Sequence, residues 1–235
     1  AIGPDRAIRL APGRYDLTGL STIKNRYVEW IDLYDGPCPV IKNLSDLALV
    51  GEEGAEIVIA PAYGWVLSFE TCEGIRISGL VFGHSKPGYC LGGVLSFARC
   101  GDVEIRSCDL YGSGTYGLGL DRTEKFSIAG STVRDCTYGL ATVERCEDLL
   151  FDSTAFRGTG EFDLFSVSAS THLLFRDCEF SGNRGSSLFS IDEETRDCKA
   201  VSCRFLDNDV ARFSGGGAQP VLEGAIFARN RFARP

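Results

Sequence analysis

Between Val94 and Gly139 the chain runs through nearly two copies of one unit: an alternating apolar strand, a short turn, a second strand and a Gly-rich corner. The unit can be followed from about residue 40 to the end. One strand series reads Leu47-Ala-Leu49, Ile75-Arg-Ile77, Val103-Glu-Ile105, Phe126-Ser-Ile128, Leu149-Leu-Phe151 and Leu173-Leu-Phe175, with a degenerate copy at Cys198-Lys-Ala200. Its starts are spaced 28, 28, 23, 23, 24 and 25 residues apart. A second series precedes it: Leu67-Ser-Phe69, Leu95-Ser-Phe97, Leu118-Gly-Leu120, Ala141-Thr-Val143, Phe165-Ser-Val167 and Phe189-Ser-Ile191. Apolar residues flank a small or polar one in every copy, which is the period of a strand with one buried face. A third, shorter pattern pairs Leu80, Cys108, Ser131, Thr154, Cys178 or Cys203 with Phe82, Leu110, Val133, Phe156, Phe180 or Phe205 two residues on; Asn230 and Phe232 read as its last copy.

Three short strands in about 23 residues cannot bury a core alone. Stacked copies can, with like positions about 4.8 Å apart along the stack. A leucine-rich repeat would show a Leu-x-x-Leu-x-Leu frame, and a WD-type blade needs about 40 residues. The pattern therefore predicts an all-β fold, a right-handed parallel β-helix of seven to eight coils of 23–28 residues, as one domain over 1–235. Before the repeats, RAIRLAPGRYDL gives strand, Pro-Gly turn and strand. Residues 18–39 break the period and are expected to form an irregular loop, with one helical turn, over the first coils. The Gly-rich excursion at 83–93 lengthens one coil.

Charge changes the picture mainly by exclusion. A net charge of −8, with no basic run, argues against a nucleic-acid footprint. No apolar stretch reaches the roughly 18 residues needed to span a bilayer. No signal-peptide pattern opens the sequence. The abrupt start and end suggest a domain excised from a longer, extracellular or envelope protein. Ten cysteines would suggest disulfides in a secreted chain, but seven fall at repeat-locked positions where Ser and Thr substitute for them. Small buried thiols, kept reduced, are the expected state. No C-x₂-C pair suggests zinc.

IRLAPGRYDL near the start, LALVGEEGAEI at 47–57, and the C-x₂-[IV]-x-I rungs beginning at Cys72 and Cys100 resemble the pectin-lyase-like β-helix superfamily, in particular the bacterial right-handed β-helix repeat proteins. The resemblance covers nearly the whole chain. It implies the fold, and such folds host lyases, hydrolases, epimerases and non-enzymatic modules. The hydrolases' Asn-Thr-Asp, Asp-Asp, Gly-His-Gly and Arg-Ile-Lys motifs are represented only by Gly83-His84-Ser85. Tyr116-Gly117 and Tyr138-Gly139 lack the Asp-Pro-His that follows in the epimerases. No lyase-type calcium aspartates are recognisable, so no catalytic residue is carried over.

Four constellations could carry chemistry. Arg99, Arg122 and Arg145 are expected to stack on successive rungs beside Asp121 and Glu144. The arginines could pair with uronate carboxylates. The two acids could sit about 5 Å apart, as in retaining glycosidases, or share a calcium ion. A solvated ladder of cancelling charges is the plain alternative. Trp65, Tyr116 and Asp163 share one offset, with Tyr138 and Phe162 one position earlier. Aromatic faces suit sugar rings, though corner packing would explain them equally. His84, in the excursion, could act as acid or base, or simply lie at the surface. Gly160-Glu161-Phe162-Asp163 adds acids near the same corner.

The functional expectation is a domain that binds or processes an extended, anionic polysaccharide. Trp65, Tyr116 and Tyr138 would stack on sugars, Arg99, Arg122 and Arg145 would pair with carboxylates, and Asp121, Glu144, Asp163 and His84 are the acid/base candidates. The rival expectation is a non-enzymatic structural or interaction module of a larger protein. No complete lyase, hydrolase or epimerase motif decides whether the chain is an enzyme.

Overall fold

The computed structural model describes residues 1–86, 92–112 and 116–233. Its strands stack into three long sheets that wrap into a parallel β-helix of about eight turns. Sheet A carries the Ile75-Arg-Ile77 series, sheet B the shorter Phe-bearing strands, and sheet C the Leu67-Ser-Phe69 series. The register follows the sequence ladders: Leu67, Leu95, Leu118, Ala141, Phe165 and Phe189 lie over one another in sheet C. Leu47 to Cys198 do so in sheet A.

One buried core runs the length of the stack. Phenylalanines repeat up its inside: Phe151 on Phe175 at 4.6 Å, Phe156 on Phe180 at 5.2 Å, Phe180 on Phe205 at 4.9 Å. Such spacing lets stacked rings add to simple area burial.

The corners explain the Cys/Ser/Thr ladders. Between sheets C and A each coil bends at one residue with positive φ: Thr71, Arg99, Arg122, Arg145 and Ala169. The next side chain turns inward; Cys72, Cys100 and Thr123 give their proton to a main-chain carbonyl of the coil before, while Cys146 and Ser170 bond Glu144 O and Ser168 O of their own coil. Thr123 Oγ1 reaches Phe97 O at 3.1 Å and Cys100 Sγ reaches Phe69 O at 3.5 Å. Between sheets A and B, Thr154 bonds Ile128 O and Cys178 bonds Phe151 O. A small donor is what the slot requires, so thiol and hydroxyl interchange. The nine described cysteines are buried thiols. Burial pushes the Cys108 and Cys146 thiols up to about 11.

Two expectations need correcting. Residues 18–39 are not an irregular loop. After a 3₁₀ turn at Leu20–Thr22, the strands Val28–Leu33 and Gly36–Lys42 form an antiparallel hairpin on the edge of sheet C. A two-residue turn at Tyr34-Asp35 joins them, closed by the Leu33–Gly36 pair. The last Phe-bearing copy is also displaced: Phe227 pairs with Phe205, whereas Phe232 pairs with Val210 in sheet C. Asn230 is instead the partly exposed end of an asparagine ladder with the buried Asn183 and Asn208.

Candidate functional site

The outer face of sheet C gathers most of the singled-out residues in three parallel rows. Adjacent strands lie about 4.8 Å apart, so each row is a ladder along the helix axis. The first edge row holds Trp65, Gly93 and Tyr116 in register, then Gly139 beside Asp163, followed by Ser187 and Arg212. The floor row holds Ser68, Ser96, Gly119, Thr142, Ser166 and Ser190. The second edge row holds Glu70, Ala98, Asp121, Glu144 and Ser168.

The aromatic side chains meet along the first edge. The Trp65 indole lies across the sheet where Gly93 and Gly119 leave room; a Cβ at either position would run into the ring. Tyr138 and Phe162 pack with ring centroids 4.9 Å apart, and Phe162 is 51% exposed. Burial raises the Tyr116 phenol above its usual range, with the Asp163 carboxylate and Tyr138 adding to the shift. Asp163 accepts a 2.7 Å hydrogen bond from Ser187. Two hollows open on this face. One, of about 360 Å³, lies among Thr142, Glu144, Ser166, Ser190 and Asp192. The other, of about 340 Å³, lies among Asp163, Ser187, Ser190 and Arg212. Ser190 and Gly216 line both, so the hollows are neighbours.

The proposed acid pair is elsewhere on the sheet. Tyr116 and Asp121 are the two ends of one strand, Tyr116–Asp121, hence about 16 Å apart at 3.3 Å per residue. Asp121 lies opposite Glu144 as the ladder requires, but arginines hold both. Arg122 pairs with Asp121 at 3.1 Å, Arg145 with Asp121 at 3.4 Å, and Arg145 also with Glu144. Arg99 pairs with Glu70, which Lys42 also holds at 3.0 Å. The Lys42 hydrogen bond is the main reason Glu70 stays below the usual carboxylate range. Glu70, Asp121 and Glu144 thus face guanidinium or ammonium groups. The charge ladder matches the self-cancelling alternative.

His84 is not on this face. It ends the strand Val81–His84 and is 5% exposed, because the coil continues sheet B through Gly83-His84 before turning out. Its Nε2 lies 3.2 Å from Gly64 O, so that nitrogen carries the proton; Nδ1 is buried without a partner among the described residues. Burial pushes its pKa below 6.5. Part of the 83–93 excursion, residues 87–91, lies outside the described residues.

Sequence reasoning missed Ser187 and Arg212; the register could have found them, since they continue the Trp65–Tyr116–Asp163 offset. Asp192 serves the backbone, accepting hydrogen bonds from Ala169 N–H and from both the N–H and the hydroxyl of Thr195. Among the described residues one group of three metal-donor side chains comes together: Glu147, Asp148 and His172, exposed on the sheet A side.

No curated protein matches the chain. Among solved structures, a chain from Parabacteroides merdae ATCC 43184 described as a "putative glycosyl hydrolase" is similar at 13% identity, with a TM-score of 0.47, covering 72% of this chain and 96% of that one. The model of the right handed beta helix region matches residues 67–232. With most of the chain matched and three parallel sheets stacked in register, this protein belongs to the right-handed β-helix family.

Proposed function

We propose that the outer face of sheet C binds an extended polysaccharide and does not cleave it. The observation that carries this reading is the aromatic edge of Trp65, Tyr116, Tyr138 and Phe162 running beside a floor of Ser and Thr hydroxyls. Aromatic faces take the apolar faces of sugar rings, and free hydroxyls take their polar rims. The rows run along the helix axis, which suits a linear chain better than a compact ligand. Asp163, held by the buried Ser187 hydroxyl, adds a polar contact, and Arg212 is an exposed cation of the groove without an ion pair among the described residues, open to an anionic substituent.

Binding is favoured over catalysis by the placement of the acids. Asp121 and Glu144 are engaged by Arg122 and Arg145. Asp163 lies across the sheet from them, well beyond the roughly 5–9.5 Å that paired glycosidase carboxylates span. His84 is enclosed. The rival reading, a structural module, is favoured by the ion-paired second edge, which leaves little there for a ligand.

The test is calorimetric titration against neutral, uronate and sulfated polysaccharides, with reducing ends assayed in parallel. Binding without turnover is expected. Trp65→Ala and Tyr138→Ala should each weaken it about three- to tenfold. If no chain binds, or both variants bind as the parent does, the reading fails and the structural module stands.

A further inference from the structure

At the N-terminal end of the solenoid the interior opens into a cavity of about 390 Å³. Strands Arg6–Leu10 and Gly13–Asp16 supply two sides of the first coil. On the third side Gly36–Lys42 pairs parallel with Trp65–Glu70, and Val28–Leu33 lies antiparallel along its outer edge. The cavity lies between these strands and the segment that carries the 3₁₀ turn Leu20–Thr22. Ile8, Leu10 and Leu17 form walls, and Ile41, Leu49 and Ile57 form the floor. The lining is almost wholly aliphatic, and its size lies in the roughly 300–1,000 Å³ range of small-molecule sites.

The rim is different. Ile23, 59% exposed, stands beside Lys24. Lys24 is exposed and makes no ion pair among the described residues, although most Lys and Arg side chains along the ladders are paired. An aliphatic cavity with the Lys24 ammonium at its mouth is complementary to an apolar tail carrying one negative charge.

We infer that this cavity binds a single-chain carboxylate, a medium-chain fatty acid, with its alkyl tail against Leu49 and Ile57 and its carboxylate at Lys24. The site is independent of the polysaccharide face. Trp30 lines the cavity and reports on it.

The experiment titrates octanoate, decanoate, dodecanoate and dodecanol into the chain carrying Trp65→Phe, so that emission comes from Trp30. Affinity should rise about fourfold per added methylene and then level off once the cavity is full. Dodecanoate should bind more tightly than dodecanol, and Lys24→Glu should remove that preference, weakening dodecanoate about fivefold while leaving the chain-length dependence. Leu17→Trp, which fills the cavity, should abolish binding with the far-UV dichroism unchanged; Ile8→Phe serves if that variant does not fold. The inference is overturned by affinity indifferent to chain length, by unaltered binding in a folded cavity-filled variant, or by sedimentation showing a second copy closing this end.

Discussion

Replacing Asn208 by alanine removes four hydrogen bonds from the corner between sheets B and C. Asn208 Nδ2 donates to Phe180 O at 2.8 Å and to Asn230 Oδ1 at 2.8 Å; its Oδ1 accepts from Asn183 N at 3.1 Å and Asn183 Nδ2 at 3.0 Å. Two of the four partners keep another bond: Asn183 Nδ2 still reaches Phe156 O, and Asn230 Oδ1 still takes the Asn208 N–H. The Asn183 N–H and the Phe180 carbonyl lose the bond that Asn208 gave them. Asn208 is 1% exposed, so water does not replace it freely. At about 1–3 kcal/mol for each buried group left unsatisfied, the expected loss is about 3 kcal/mol. Asn230→Ala, at the partly exposed end of the ladder, should cost about 1 kcal/mol, because solvent can satisfy the freed groups. Urea unfolding followed by far-UV dichroism measures both through the midpoint at constant slope. Hydrogen exchange at the Asn183 amide should accelerate in Asn208→Ala. A loss under about 1 kcal/mol for Asn208→Ala, or an equal loss in the two variants, would refute the ladder reasoning.

The folded-state pKa of His84 lies below its unfolded value of 6.5, so its contribution is fully present above pH 6.5 and is lost as pH falls through the folded value. Protonation puts an N–H on Nδ1, which has no hydrogen-bond partner among the described residues, and burial disfavours the charge; the Gly64 and Pro61 carbonyls and the Asp35 carboxylate oppose the shift. Thermal melts between pH 7 and 4.5 should fall more steeply for the parent than for His84→Gln, and parallel curves would exclude His84 as the cause. The double variant Asp121→Asn/Glu144→Gln should change stability by no more than about 1 kcal/mol, since exposed ion pairs contribute little. It should also bind polysaccharide as the parent does; a tenfold loss would return the second edge to the binding site.

Asn183, Asn208 and Asn230 show how far the ladders could be read. Phe180-x-x-Asn183, Phe205-x-x-Asn208 and Phe227-x-x-Asn230 repeat one spacing. Reading Asn230 with Phe232 instead of Phe227 moved it to the wrong corner, because a short terminal copy offers two alignments and pattern alone does not choose. The aromatic edge was legible for the same reason as the core. Trp65, Tyr116 and Asp163 share an offset, and in a parallel, in-register stack a shared offset means a shared row.

The sequence by itself determined the solenoid, its coil lengths, its registers and its rows, because period-two alternation and a near-constant repeat each translate directly into position. Tertiary structure decided relations across the rows. Tyr116 and Asp121 are five residues apart and stand at opposite edges of one sheet, so the expected acid–aromatic cluster divides in two. His84 is polar and next to a Gly-rich stretch, yet it is buried because the strand continues two residues further before turning outward. The hairpin at 28–42 was hidden because its partners pair antiparallel to each other and carry Pro37 and Pro39, outside the period that organises everything else. The N-terminal cavity borders that same departure from the repeat, with Val28, Trp30, Pro39 and Ile41 of the hairpin among its lining. A repeat specifies what lies above and below each residue; where the repeat stops, packing alone decides what is covered.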